Sequence, residues 1–369
     1  MYDERIGKIA EILVRYSLNV QPGENVIIRS TPLAEPLIKA AYREILRAGG
    51  HPLLEITFSD MDEIFFKEAS EDQLRYISPL RRWVVENMDA VLTIMASSNT
   101  KALSNVDPAR VAMHRQAMEP LSTRFLERAA EGSLKWTLTL FPTPAYAQDA
   151  DMSLAEFTEF VFNASLPDPA DPIGYWRRVS EYQARVVDWL SQKDEIHVVA
   201  PGTDLRLRVK GRTWISADGR HNFPDGEVFT APIEDSVEGH ITFSYPAVYQ
   251  GREVEGVQLW FEKGKVVKAS ARKGEAFLLK MLDTDEGARR VGEFAIGLNP
   301  GIQTFTRNIL FDEKIKGTVH MALGKAYPEC GGTNQSAIHW DMVCDLRQGG
   351  KIYADGELFY ENGDFVVSF

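Results

Sequence analysis

The chain alternates two hydrophobic periods, and the change from one to the other divides it. Residues 3–16 place Ile6, Ile9, Ile12, Leu13 and Tyr16 three or four apart, the spacing of one helical face. Pro22-Gly23 ends that pattern, and Val26-Ile27-Ile28 follows as a short apolar strand. Further helices are predicted over 33–48, 71–87 and 110–131, with strands over 51–57, 90–96 and 136–141 between or after them. Strands alternating with helices of this length predict βαβ units and a mainly parallel sheet. Two more helices are expected, over 152–162 and 175–190.

From Glu195 onward the period drops to two. Ile196-His-Val-Val, Leu205-Arg-Leu-Arg-Val, Ile241-Thr-Phe and Val257-Gln-Leu-Trp-Phe are separated by turns such as Pro201-Gly202 and Lys263-Gly264. That pattern predicts antiparallel sheet, interrupted by one helix over 275–290. The expected architecture is therefore an N-terminal three-layer α/β domain, residues 1–192, with a mainly parallel sheet. A C-terminal, mainly antiparallel β-rich domain, residues 193–369, would carry the functional site.

Composition narrows the function. The 369 residues are 44% hydrophobic and 25% charged, as in an ordinary globular protein. A formal net charge of −12 argues against nucleic acid and against an anionic membrane surface as partners. The N-terminus lacks a signal pattern and no apolar run is long enough to span a bilayer, so a cytoplasmic protein is expected. Cys330 and Cys344 are the only cysteines, and in a reducing compartment they are free thiols. No phosphate-binding glycine motif follows any N-terminal strand, which leaves that half without a nucleotide signature.

The chemistry gathers late in the chain. His339 and Asp341 stand at i and i+2, which puts both on one face of an extended segment with Trp340 turned away. His320 follows the strand-like Gly317-Thr-Val and can meet them from a neighbouring strand. Two imidazoles and a carboxylate suit Zn, Mn, Fe or Co. Upstream, Glu227 and Glu293 each open an apolar run, a position where a surface charge is equally ordinary. Taken together, three carboxylates and two histidines exceed what one tetrahedral ion needs, and fit two divalent ions sharing a carboxylate and a water.

Several stretches resemble the M29 family of thermophilic metalloaminopeptidases, the aminopeptidase T group. They are Glu227-Val-Phe-Thr-Ala-Pro, Asp285-Glu-Gly-Ala-Arg with Gly292-Glu293, His320-Met-Ala-Leu-Gly-Lys-Ala-Tyr-Pro, Asn334-Gln-Ser-Ala-Ile-His-Trp-Asp-Met and Pro201-Gly-Thr-Asp-Leu. The likeness is motif by motif from about Asp171 onward, and extends to the first half only in overall pattern. It implies that Glu227, Glu293, His320, His339 and Asp341 are the ligands of two divalent ions (Zn, Co or Mn), with Tyr327 beside them. It further implies an aminopeptidase acting on peptides with a free N-terminus through a metal-activated water, and a homodimer. Tyr327 would serve the developing oxyanion, and Glu293 is counted with it among the catalytic residues as well as among the ligands; Glu329 is near in sequence but is not assigned as general base. The crossing from Tyr327 to Asn334, through Glu329-Cys-Gly-Gly-Thr, is shorter than is usual in the family, which leaves substrate preference open. The alternative from another enzyme class is a mononuclear non-haem Fe(II) ring-cleaving dioxygenase, similar to the dihydroxypyridine dioxygenases, using His320, His339 and Asp341 alone. A binding protein on a decayed peptidase scaffold ranks last, because no ligand position is lost.

Overall fold

The computed structural model describes residues 3–249 and 251–369. They form two compact units: residues 3–173 with 219–223, and residues 174–218 with 224–369.

The first unit is built on a five-stranded sheet in the order His51–Ile56, Asn25–Ser30, Ala90–Met95, Lys135–Leu140, Asn222–Phe223. Every pairing in it is parallel. Its central strands read as continuous apolar runs because both faces are buried. Ile27 and Val91 pack with Val84, Met88 and Leu134, while Val26, Ile28 and Leu92 are buried on the opposite face. The predicted helix over 71–87 is two helices, Glu71–Arg75 and Pro79–Asn87. Ser70 caps the first through a capping box with Gln73. Pro79 explains the break, since a proline disfavours helical backbone at the residue before it and is at home as the first residue of a new helix. Met61–Glu68 is a further helix that the periodicity did not predict.

The second unit contains two large antiparallel sheets and a two-stranded antiparallel ribbon, Ala247–Tyr249 with Arg252–Val254, among the described residues. Eight strands run in the order Lys265–Ser270, Gln258–Glu262, Glu238–Thr242, Thr203–Arg208, Glu195–Ala200, Lys351–Ala354, Glu357–Glu361, Asp364–Phe365. The other sheet has five strands in the order His339–Asp345, Thr318–Gly324, Val291–Gly297, Glu227–Thr230, Ile215–Ala217. The helix expected over 275–290 stops at Leu282, and Glu286–Arg289 forms a separate 3-10 turn capped by Asp285. Among the described residues, no helix is long and apolar enough to cross a membrane.

The five-stranded sheet positions the site by alternation. On one face, Val228, Phe294, Ile296, Met321, Leu323, Trp340 and Met342 join the unit's core, each at most 1% exposed. The residues between them point the other way: Glu227, Glu293, His320, His339 and Asp341, interleaved with Ala295, Gly297, Ala322 and Gly324. The ladder sets Ala295 opposite His320, Ala322 opposite Asp341 and Gly324 opposite His339. Large side chains at those intervening positions would fill the space between the polar groups, so the small residues leave the polar groups room to converge.

Candidate metal centre

Two clusters of potential ligand atoms lie on this face. Glu227, Glu313 and His320 bring one donor atom each within 4.8 Å of one another, and so do Glu293, His339 and Asp341. Glu293 lies between them. Its Oε1 is 3.7 Å from His320 Nε2, and its Oε2 is 3.2 Å from His339 Nε2. His320 Nε2 is 3.4 Å from Glu227 Oε2, and His339 Nε2 is 3.5 Å from Asp341 Oδ1. The five residues singled out from the sequence therefore converge.

Glu313 escaped the sequence reading, as did its neighbour Lys314. Both sit in the run Asp312-Glu313-Lys314-Ile-Lys316, which looks like a solvated turn between strands. The fold buries it: Lys314 is wholly inaccessible, and its Nζ lies 3.1 Å from Glu227 Oε1 and against Glu313 Oε2. The only sequence signal was the joining of this charged run to Gly317-Thr-Val-His320.

Hydrogen bonding tests whether these residues suit a metal. Glu227 Oε2, His320 Nδ1 and Nε2, His339 Nε2 and Asp341 Oδ1 are buried and have no hydrogen-bond partner. Leaving polar atoms of this kind unsatisfied costs roughly 1–3 kcal/mol each, and their gathering at one place fits a bound ion. The His339 Nδ1–H donates to the Lys325 carbonyl at 2.8 Å, since a carbonyl can only accept. In the neutral ring that fixes the lone pair on Nε2, aimed at Glu293 and Asp341, the arrangement that orients metal-binding histidines. Imidazole and carboxylate donors of this kind fit a borderline divalent ion.

Electrostatics agree. Burial opposes a charge on His320, but Glu293 and Glu227 outweigh it and push the imidazole up to about 9. Burial likewise opposes His339, yet Asp341 and Glu293 push it up to about 10. Burial would raise Glu293, and the two histidines instead hold it down to about 2. Burial, reinforced by Glu313, drives Asp341 up to about 7, and burial also raises Glu227. Without a metal, protons on the imidazoles and Lys314 are the cations that balance the carboxylates. A divalent ion would bind at the imidazole nitrogens by displacing their protons.

The surrounding loop is held firmly. Tyr327 packs edge-on against His339 with ring centroids 5.1 Å apart and tilts against Phe229 at 5.4 Å. Burial and the nearby carboxylates Glu293 and Asp341 raise its hydroxyl pKa strongly, so the phenol stays protonated. The short crossing after it is a 3-10 turn over Pro328–Cys330. A Cβ on Gly332 would come within 2.5 Å of the Ala326 Cβ and 2.7 Å of the Ala231 Cβ, so only glycine fits there. Asn334 donates to the Gly287 and Gly324 carbonyls, and Asp285 accepts from Ser336 and the Ala337 amide. Glu329 is exposed. Cys330 and Cys344 are buried free thiols, Cys344 on the core face of its strand.

The chain is 30% identical to aminopeptidase 2 of Geobacillus stearothermophilus over 99% of its own length and 98% of the relative's. The solved structure of wild-type AmpT from Thermus thermophilus superposes over 100% of both chains with a TM-score of 0.84 at 28% identity. The 2,5-dihydroxypyridine dioxygenase of Pseudomonas putida KT2440 gives a TM-score of 0.57 at 16% identity over 98% of this chain and 97% of that one, a likeness of fold alone. A family model described as thermophilic metalloprotease (M29) matches residues 2–365, and the chain belongs to that family.

Proposed function

We propose that this chain is a metal-dependent aminopeptidase in which Glu227, Glu313 and His320 hold one divalent ion and His339 and Asp341 a second, with Glu293 shared. The observation that carries the reading is the place of Glu293, one oxygen towards each histidine. The two ions would supply Lewis-acid chemistry, lowering the pKa of a shared water towards neutrality and polarising the scissile carbonyl.

The chain's own residues do the rest. Lys325 holds the His339 ring through Nδ1, keeping Nε2 pointed into the site. Tyr327 is a neutral donor beside His339, placed to give its hydroxyl proton to a hydrogen bond with the developing oxyanion. Ala295, Ala322, Gly297 and Gly324 keep the face open, so that a peptide with a free N-terminus can reach it. Two imidazoles and four carboxylates support Zn, Co or Mn as the ion. An acidic chain with two buried free thiols supports a cytoplasmic setting. Family likeness supports a homodimer.

Elemental analysis of protein purified without chelator tests the reading, together with Glu293→Ala. About two divalent ions per chain are expected, as one for each ligand group. In Glu293→Ala both the metal content and the hydrolysis of amino-acid anilides should fall. A single iron that survives loss of Glu293 would sink it in favour of the mononuclear oxygenase.

A further inference from the structure

The segment that opens with Glu227 does more than supply a candidate ligand. Phe229, two residues on, tilts against the Tyr327 ring, and Ala231 packs with Ala326 and Cys330 of the loop that carries that ring. Glu234 then meets the same loop at its other end. Its Oε1 accepts from the Thr333 amide at 2.7 Å and from the Thr333 hydroxyl at 2.8 Å, and its Oε2 accepts from the Arg212 guanidinium. The Glu234 carbonyl accepts from Arg290 at 2.7 Å, which ties down the backbone from which the carboxylate reaches. Burial would raise the pKa of Glu234, but Thr333 and Arg212 outweigh it and hold the group below the ordinary carboxylate range. Hydrogen bonds to an ionised acceptor are roughly twice as strong as neutral ones.

Thr333 stands between two backbone bonds that flank Tyr327. Gly332 donates to the Tyr327 carbonyl at 3.2 Å, and the Asn334 carbonyl accepts from the Ala326 amide at 3.0 Å. Beside Arg212, the Thr213 amide donates to the Cys330 carbonyl at 3.1 Å. Holding Thr333 and Cys330 therefore holds the backbone on both sides of Tyr327. Resting on the reading of Tyr327 as the oxyanion donor, we propose that Glu234 is its positioning residue, a latch that sets the Tyr327 hydroxyl in place before substrate arrives. Glu234 acts through Thr333 and Arg212 and not on the substrate. A donor fixed in advance stabilises developing charge without having to reorient, and a displacement of about 1 Å can cost roughly 100-fold in rate.

The test is a double-mutant cycle of Glu234→Ala with Tyr327→Phe, read by steady-state hydrolysis of amino-acid anilides and by elemental analysis of each protein. Glu234→Ala should lower kcat by about 10–100-fold, with KM and metal content close to wild type. In the Tyr327→Phe background the same substitution should cost no further kcat, because the hydroxyl that the latch places is gone. A merely structural glutamate would lower kcat by the same factor in both backgrounds. That additivity overturns the proposal, and so does a wild-type kcat in Glu234→Ala. Should Glu234→Ala fail to fold, the near-isosteric Glu234→Gln carries the same cycle. It keeps an oxygen for Thr333 but no charge for Arg212, so a smaller loss is expected, again absent beside Tyr327→Phe. No loss, or an additive one, overturns the proposal there too. A wild-type kcat in Tyr327→Phe alone would fell the reading of Tyr327 itself, and this inference with it.

Discussion

The two faces of the Glu293 sheet share the same strands and obey opposite rules. On the core face, Phe294, Met321 and Trp340 are buried against other apolar side chains, and stability comes from the area they remove from water. One residue along in each case, Glu293, His320 and His339 converge, with buried ring nitrogens of both histidines left unpaired. A single strand thus adds stability with one set of alternate positions and spends some with the other. Period-two alternation lets both occur within one strand while keeping them chemically separate, and the core residues hold the backbone that fixes the spacing of the candidate ligands.

Separation of that kind can be broken deliberately. Phe294→Ala should cost about 3–5 kcal/mol of unfolding free energy, the usual toll for truncating a fully buried aromatic. Denaturant unfolding measures it, and the surviving folded protein should keep its full complement of metal. Loss of metal from protein whose circular dichroism is still native would mean that the faces are not independent. Tyr327→Phe probes the polar side. Removing the hydroxyl should lower kcat by about 10²–10³-fold, roughly 2.7–4 kcal/mol, with metal content unchanged. Steady-state kinetics that show no loss of kcat would remove Tyr327 from the chemistry.

The same comparison explains what could be read from the sequence. His339 and Asp341 were legible because a two-residue period fixes their common face, and Trp340 between them does occupy the core. Glu227 and Glu293 each gave an ambiguous signal, resolved only by their place in longer motifs. Glu313 and Lys314 were not legible. A charged pair in a turn is ordinarily solvated, and its burial here depends on contacts with Glu227, eighty-odd residues earlier in the chain. The fold shows the same limit. Long apolar runs announced the parallel sheet, whereas its fifth strand, Asn222–Phe223, is two residues long and has no period to detect. The break at Pro79 was visible in principle, because proline chemistry overrides an otherwise continuous helical pattern.

Asp345 sharpens the comparison with the smallest effect. It lies on the strand of His339 and Asp341, at even spacing from both, and so faces the same way. Unlike Asp341, it is fully partnered by protein: Tyr245 donates to its Oδ2 at 2.9 Å, and the Arg347 backbone and guanidinium donate to its Oδ1 at 2.9 Å each. Burial acts to raise its pKa, but Arg347 and Tyr245 outweigh burial and hold it below the ordinary carboxylate range. A depressed folded pKa contributes stability that is present above the unfolded value of about 3.9 and is lost as pH falls through the lower folded value. Asp345→Asn should therefore be less stable than wild type at neutral pH by about 1–2 kcal/mol, discounted for the part of the side chain still in water. That difference should shrink below about pH 4, where the Asp345 carboxyl of the unfolded wild-type chain starts to take a proton while the folded one does not. Urea unfolding of both proteins, metal-free, across this range reads the difference directly, and the titrations of the other site carboxylates cancel in it. A gap that stays constant down to about pH 3 would show that Asp345 contributes by shape and hydrogen bonding and not by charge. The partnered acid on this face would then differ from the unpartnered Asp341 in more than its neighbours.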